Sequence, residues 1–165
     1  MSDPNRIPLL DPDAFRSVLG RFASGVTVLT TRSGNTDVGM TVSAFCSLSL
    51  QPPLVLACVD KTADLHHLLP KGQRVAFNIL SATQEALSRR FSEEDGSRRF
   101  DGIGFHRDPH GVAVLEDVLA WIEAVIVEQH DGGDHSIFIA QVDGASSGDL
   151  RPLLYYRGGY AELER

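Results

Sequence analysis

Residues 38–60 read VGMTVSAFCSLSLQPPLVLACVD. The first half, residues 38–50, is rich in Val, Thr and Ser and predicts one long strand, which Pro52-Pro53 ends. Residues 54–60 are a continuous apolar run, which predicts a central strand. Extended segments joined by so short a turn favour an antiparallel arrangement.

Similar extended segments follow one another over most of the chain. Further strands are predicted at residues 25–32, 75–80, 118–128, 136–142 and 153–156. A helix is predicted after Asp11-Pro12-Asp13, and its one apolar stripe is expected to pack on something larger. Further helices are predicted at residues 63–69 behind a Thr62 cap and from Ser81 to Phe91 behind a capping-box pattern. The strands do not alternate regularly with helices, which argues against a doubly wound sheet. We therefore expect a mainly β protein of the α+β class, an antiparallel barrel with helices at its edges.

Length, composition and charge limit the classes of protein to which this chain can belong. The 165 residues, 42% hydrophobic and 22% charged, predict one globular domain. No apolar run approaches the ~20 residues that cross a bilayer, and the first residues do not resemble a secretory signal, so a cytoplasmic location is expected. A net charge of −7 without a long basic run argues against nucleic-acid binding. Cys46 and Cys58 are expected to be buried, reduced thiols.

Several common catalytic motifs are absent or incomplete. There is no Walker A loop and no complete GxGxxG motif. Residues 144–148 (GASSG) match the GxSxG pattern, but Pro152 follows too closely for the helix that a nucleophile elbow needs, so a turn is predicted there. Among six histidines, the adjacent pair His66-His67 and the pair His106 and His110 do not form a recognisable metal motif. We predict no metal site.

Two segments combine features that suit a ligand. Hydroxyl residues recur along residues 41–49, which indicates either a solvent-facing strand side or a face lined with hydrogen-bond donors. Lys61 and Thr62 follow the next strand at a predicted helix start, where free N–H groups can bind a phosphate. Further on, Gly133-Asp134 is a turn that places His135 before a strand, although a lone histidine is often structural.

Together these segments resemble the flavin reductase-like family, the small NAD(P)H:flavin oxidoreductases that serve two-component monooxygenases. The most specific stretches are SLSLQPPLVL within residues 41–56 and GDHSIFIAQV at residues 133–142. The resemblance also covers residues 15–30, 59–63, 77–78, 90–91, 99–100 and 111–123. It implies a split β-barrel of the FMN-binding type, one domain over residues 1–165 with an N-terminal extension at 1–10, and a homodimer.

The resemblance also implies a site. The nicotinamide would be positioned by His135, the predicted catalytic residue. The flavin, FMN or FAD, would contact Met40, Thr41, Val42, Ser43, Ala44, Ser47, Cys58, Val59, Lys61, Thr62, Ala63, Asn78, Phe91, Phe100 and Tyr156, with Tyr160 as an alternative to Tyr156. The hydride donor would be NADH or NADPH, and a monooxygenase component would take up the reduced flavin. Because the cofactors supply this chemistry, the protein needs neither a nucleophile nor a metal.

Three other functions remain open at this point. Within redox chemistry, the protein could be an oxidase or a reductase that acts on something other than free flavin, since one fold hosts several chemistries. A flavin or haem carrier without turnover is a second alternative. A serine hydrolase is the third, and it depends on residues 144–148 alone.

Overall fold

The computed structural model describes residues 9–93 and 95–163. Most of the predicted N-terminal extension, residues 1–8, lies outside the described residues. The described chain forms two α-helices, α1 (Pro12–Leu19) and α2 (Glu85–Glu93). Its strands are β1 (Ser24–Gly25), β2 (Thr27–Ser33), β3 (Thr36–Val42), β4 (Phe45–Leu50), β5 (Pro53–Asp60), β6 (Arg74–Ile79), β7 (Phe105–Arg107), β8 (Ala113–Leu115), β9 (Ala120–Gly132), β10 (His135–Ser147), β11 (Leu153–Tyr156) and β12 (Gly159–Glu162).

The main sheet has seven strands in the order β3-β2-β6-β9-β10-β5-β4, and every neighbouring pair is antiparallel. Strands β3 and β4 follow each other in the chain, yet they form the two opposite edges of this sheet. The two-residue link between them requires the sheet to curl, and the predicted antiparallel split barrel is confirmed. The single strand predicted over residues 38–50 is wrong, because the chain passes from one edge to the other at Ser43 and Ala44.

The barrel interior is filled by alternate residues of its strands. Along β5, Val55, Ala57 and Val59 are buried while their neighbours are half-buried. They pack with Phe77 of β6 and Phe138 of β10 in one apolar cluster. Burying one such large side chain contributes about 1.5–3 kcal/mol, so this cluster holds the curled sheet closed.

A second apolar cluster lies between the barrel and its peripheral elements. Phe91 of α2 and Leu115 of β8 are fully buried in it. The helix itself begins as the sequence predicts: Ser81 and Gln84 form a capping box, with the Ser81 N–H donating to Gln84 Oε1 at 3.0 Å. A short 3-10 turn, Ala82–Gln84, leads into α2. The cluster and the cap fix α2 against β3 and β8.

Three local predictions differ from the structure. Asp11 caps α1 as expected and accepts the Ala14 N–H at 2.9 Å, but the apolar stripe of α1 is exposed instead of packed within the chain. The predicted helix at residues 63–69 is only a 3-10 turn, His66–Leu68, without a Thr62 cap. Both cysteines are free, as predicted, but Cys46 is exposed and Cys58 is only half-buried. None of the helices in the described ranges is long and apolar enough to span a membrane.

Candidate functional site

A cavity of about 300 Å³ opens beside the end of β3. Its wall combines the end of β3, the segment after β5, the end of α2 and one arginine. The lining residues are Met40, Thr41, Thr62, Ala63, Asp64, Leu65, Phe91, Ser92 and Arg99. Five of the predicted flavin-binding residues, Met40, Thr41, Thr62, Ala63 and Phe91, therefore meet in one place although they span 52 positions of the sequence.

A second cavity of about 200 Å³ adjoins the first. Thr41 and Ser92 line both cavities, so the two lie side by side, and together they are called the cleft. The second cavity adds hydroxyl groups and an aromatic wall from the small sheet β1-β11-β12. Its lining residues are Val26, Thr41, Ser43, Ser88, Ser92, Tyr155 and Tyr160. The predicted residue Ser43 and the alternative tyrosine, Tyr160, are among them.

A hydrogen bond and two ring contacts hold the tyrosines of this aromatic wall in place. The Tyr160 hydroxyl and Ser88 Oγ are hydrogen-bonded at 2.8 Å, and the Arg89 guanidinium lies 4.9 Å from the centre of the Tyr160 ring. Tyr155 packs edge-on against Tyr160, with ring centres 5.5 Å apart. These contacts hold both rings in place before any ligand arrives, which lowers the entropic cost of binding a flat ring.

Strand β3 and helix α2 approach closely because of a glycine. A Cβ built on Gly39 would lie 2.8 Å from the Phe91 ring, so only glycine permits this contact. Phe91 is fully buried, and Phe100 packs edge-on behind it at 5.1 Å. The Phe91 ring therefore forms a firm wall of the cleft.

The cleft has one strongly basic group. Among the described residues that line the two cavities, Arg99 is the only Lys or Arg, and its Nη1 donates to the carbonyl of Gly39 at 2.8 Å. Hydroxyl donors and apolar walls surround it, and Asp64 adds one carboxylate. Such a donor set fits a flat, largely apolar ring with polar edges and one anionic group.

The remaining predicted flavin contacts do not line either cavity. Asn78 is fully buried: its amide donates to the Val28 carbonyl at 3.0 Å and accepts the Leu115 N–H at 2.8 Å. Phe100 lies behind Phe91. The others, Val42, Ala44, Ser47, Cys58, Val59 and Tyr156, lie on or beside strands β3, β4, β5 and β11. Their contacts with a flavin stay predictions.

Lys61 and His135 lie next to each other at the tip of the β9–β10 hairpin. His135 pairs with Asp60 at the end of β5, and its Nδ1 is 2.7 Å from Asp134 Oδ1. The Lys61 ammonium contacts the Asp131 carboxylate and donates to the Gly133 carbonyl at 2.6 Å. Neither side chain lines the cleft, and no helix N-terminus accompanies Lys61 and Thr62. Their roles toward phosphate and nicotinamide stay predictions.

Asp60 connects this tip to the cleft. Both the N–H and the hydroxyl of Thr62 donate to its carboxylate at 2.7 Å. These two hydrogen bonds, together with the nearby His135 and His66, hold the pKa of Asp60 below its usual value. The carboxylate therefore stays ionised at neutral pH and fixes Thr62 as part of the cleft wall.

Sequence reasoning missed several lining residues, and the reason differs between them. Arg99 belongs to a stretch that carries the family resemblance, but its position in the chain does not indicate that it reaches β3. Tyr155 and Tyr156 are neighbours on β11 and point to opposite sides of it. The tyrosine pair alone does not show which ring faces the cleft, and the structure places Tyr155 there.

The geometry of residues 144–148 does not support a serine hydrolase. Residues 144–148 belong to the end of β10 and its exit, with Ser146 opposite Trp121 of β9, so the predicted turn is wrong and there is no strand–turn–helix elbow. Within residues 9–93 and 95–163 there is no cluster of three or more metal-ligating side chains.

Comparisons with known proteins agree with the geometry. A family described as "Flavin reductase like domain" matches residues 19–164. The reductase subunit HsaB of a flavin-dependent monooxygenase from Mycobacterium tuberculosis is 37% identical over 94% of this chain and 84% of that protein. The FMN reductase (NADH) SmoA from Agrobacterium fabrum is 37% identical over 92% of this chain and 86% of that protein. The solved NADH:FAD oxidoreductase SgcE6 of Streptomyces globisporus, in complex with NAD and FAD fragments, has a TM-score of 0.87 and 33% identity, covering 96% of this chain and 98% of that one.

Proposed function

This chain belongs to the flavin reductase-like family, and on that premise we propose that it is an NAD(P)H-dependent flavin reductase that supplies reduced flavin to a partner monooxygenase. The cleft at the end of β3 is the observation that carries the proposal. It gathers Met40, Thr41, Thr62, Ala63 and Phe91, which the family resemblance assigns to the flavin. HsaB supports the monooxygenase partner, because its name makes it the reductase subunit of such an enzyme.

Different residues of the cleft suit different parts of FMN or FAD. Apolar walls at Met40 and Phe91 suit the ring system, and the hydroxyls of Thr41 and Ser43 suit its polar edge. Arg99 suits the phosphate, because a guanidinium binds phosphate through charge-assisted hydrogen bonds. When bound, the flavin supplies the redox chemistry by accepting a hydride from the nicotinamide. The chain itself provides binding, orientation and exclusion of water.

His135 would position the nicotinamide without acting as an essential proton donor. It stands half-exposed at the start of β10, where Asp134 and the paired Asp60 fix its backbone and ring. With His135→Ala we expect a raised KM for NADH, a kcat that is largely kept at saturating NADH, and an unchanged flavin affinity. A variant that stays inactive at saturating NADH while binding flavin normally would contradict this positioning role.

The decisive experiment follows NADH loss in air by purified protein, with no flavin, with FMN and with FAD. Loss that scales with added flavin supports a reductase, and the flavin with the higher kcat/KM is its working cofactor. Flavin that stays bound after gel filtration without NADH loss would favour a carrier, or an oxidase of another donor. Absence of both binding and turnover would overturn the proposal.

The exposed apolar side chains of α1 indicate how the chain assembles. We propose that the chain acts as a homodimer, because Phe15, Val18, Leu19 and Phe22 expose 51–82% of their surface on and just after α1. Several large apolar side chains exposed on one helix are typical of an interface. The match over residues 19–164 supports one domain for the chain. A reducing, cytoplasmic location fits the two free cysteines.

A further inference from the structure

The turn between β9 and β10, directly before His135, is short and exposed. Gly132 pairs with His135, so Gly133 and Asp134 alone form the loop, and Gly133 has a φ of +77° that suits glycine. Residues 131–134 are all exposed. A turn of two glycines and exposed aspartates is conformationally free unless other groups hold it.

Lys61 supplies three contacts to this turn. Its backbone N–H donates to the Asp134 carbonyl at 3.0 Å, and its ammonium donates to the Gly133 carbonyl at 2.6 Å. The same ammonium forms an ion pair with Asp131. Asp131 therefore holds the lysine side chain in the direction that also lets it bind Gly133. The hydrogen bond from Lys61 in turn lowers the pKa of Asp131 from its ordinary value.

The same segment forms part of the cleft. Thr62 and Ala63 follow Lys61 directly and line the larger cavity. Behind the turn, His66 Nε2 and the buried Ser136 Oγ are hydrogen-bonded at 2.9 Å, which ties the segment to the residue after His135. Contacts of Lys61 and His66 therefore connect the hairpin tip to the cleft wall.

We propose that Asp131 is a positioning residue for the nicotinamide half of the reaction: by fixing Lys61 against the Gly133-Asp134 turn, it fixes the backbone of His135 beside the cleft. This assignment rests on the proposed function. In this assignment Lys61 holds the hairpin in place, in addition to any contact that it makes with a phosphate.

Stability and kinetics should respond differently to the loss of this pair. The Lys61 and Asp131 side chains are 39% and 79% exposed, and exposed ion pairs contribute little to the free energy of unfolding. A small displacement of a substrate-positioning group, in contrast, can lower kcat/KM by one or two orders of magnitude. We therefore expect Asp131→Asn to leave the melting temperature nearly unchanged and to raise the KM for NADH by roughly 3- to 10-fold. Saturated kcat and flavin Kd should stay within about 2-fold.

The test measures NADH:flavin kinetics for Asp131→Asn and for the conservative Asp131→Glu, each in the wild-type and the His135→Ala background. Asp131→Glu should restore most of the KM. If Asp131 acts through His135, Asp131→Asn should add less than about 2-fold in the His135→Ala background, because residues that share one role are not additive. Glu162→Gln is the matched control, since it removes another exposed ion pair, with Arg151, in the small sheet.

Hydrogen exchange gives a readout that does not depend on turnover. The Lys61 amide, which donates to Asp134, should exchange faster in Asp131→Asn than in the wild type. An unchanged KM for NADH, or additive effects with His135→Ala, would overturn the assignment. FMN that binds more tightly to Asp131→Asn at an unchanged KM would overturn it too, and would identify Asp131 as a competitor of the phosphate for Lys61. A wild type that oxidises no NADH with flavin would instead remove the proposed function, and this assignment with it.

Discussion

The Thr41 hydroxyl donates to the backbone carbonyl of Ser88 at 2.7 Å and so joins strand β3 to helix α2 where the two cavities of the cleft meet. Thr41→Val keeps the side-chain shape but removes this donor. We expect a loss of about 1 kcal/mol in the free energy of unfolding, a melting temperature lower by roughly 2–4 °C, and weaker flavin binding. Thr41→Ser keeps the hydroxyl and should bind flavin like the wild type. Equal flavin affinity for the Val and Ser variants would show that the hydrogen bond does not shape the cleft.

Asn78 tests the difference between a structural and a cofactor-binding residue. Its amide is fully buried and bonded to Val28, Thr30 and Leu115. Asn78→Ala leaves a buried carbonyl and a buried N–H unpaired, which should cost about 2–4 kcal/mol and lower the melting temperature by roughly 5–15 °C. The flavin Kd, measured well below that temperature, should stay unchanged. A loss of flavin affinity in the folded variant would favour the role that the family resemblance assigns to it.

Arg99 should distinguish between flavins by their phosphate. We expect Arg99→Gln to weaken FMN binding by about 10-fold, and riboflavin binding by much less, because riboflavin lacks the phosphate that the guanidinium would bind. Fluorescence titration with the two flavins measures this ratio. Arg98→Gln, an exposed neighbour outside the described cleft lining, serves as the control. Equal losses for FMN and riboflavin would assign Arg99 to the packing of β3 through its bond to Gly39.

The exposed stripe of α1 predicts an assembly defect. Val18→Asp or Phe22→Asp places a carboxylate on apolar surface that is 63% or 82% exposed in the single chain. If this surface is the dimer interface, either change should convert the dimer to monomers, because an unpaired charge is costly to bury. Light scattering after gel filtration measures the mass. Ser17→Asp, on the opposite side of the helix, should remain a dimer, and dimeric aspartate variants at 18 and 22 would place the interface elsewhere.

Glu123 makes the stability of the folded protein depend on pH. Burial, together with the charges of Asp108 and Asp143, raises its pKa from the ordinary 4.5, while Arg74 and His110 partly oppose this. The folded state therefore holds the proton more tightly than the unfolded state, and stability falls as the pH rises from 4.5 through the raised value. Glu123→Gln should melt ~1–2 °C higher than the wild type at pH 7, with a smaller gap near pH 4. A gap that is constant between pH 4 and pH 8 would contradict this explanation.

Much of the fold follows from local sequence. The Ser81 capping box, the Asp11 cap, the Pro52-Pro53 break and the apolar run of β5 all appear where their patterns predict them. Such features depend on residues a few positions apart, so the sequence carries their cause directly. The antiparallel barrel also follows, because extended segments joined by short turns leave few other ways to pair.

Only closure of the barrel decides where the cleft lies. It sends β3 and β4 to opposite edges, breaks the expected long strand at Ser43 and Ala44, and brings Arg99 against Gly39 across 60 positions. It also leaves the α1 stripe exposed and turns Lys61 toward the β9–β10 hairpin. These partners are distant in the chain, and their contacts depend on how a whole sheet curls around Phe77 and Phe138. Local patterns predicted most strands and helix α2, and the family resemblance predicted the type of ligand site. Tertiary packing set which side chains meet there, because periodicity reports the face of an element and not its neighbour.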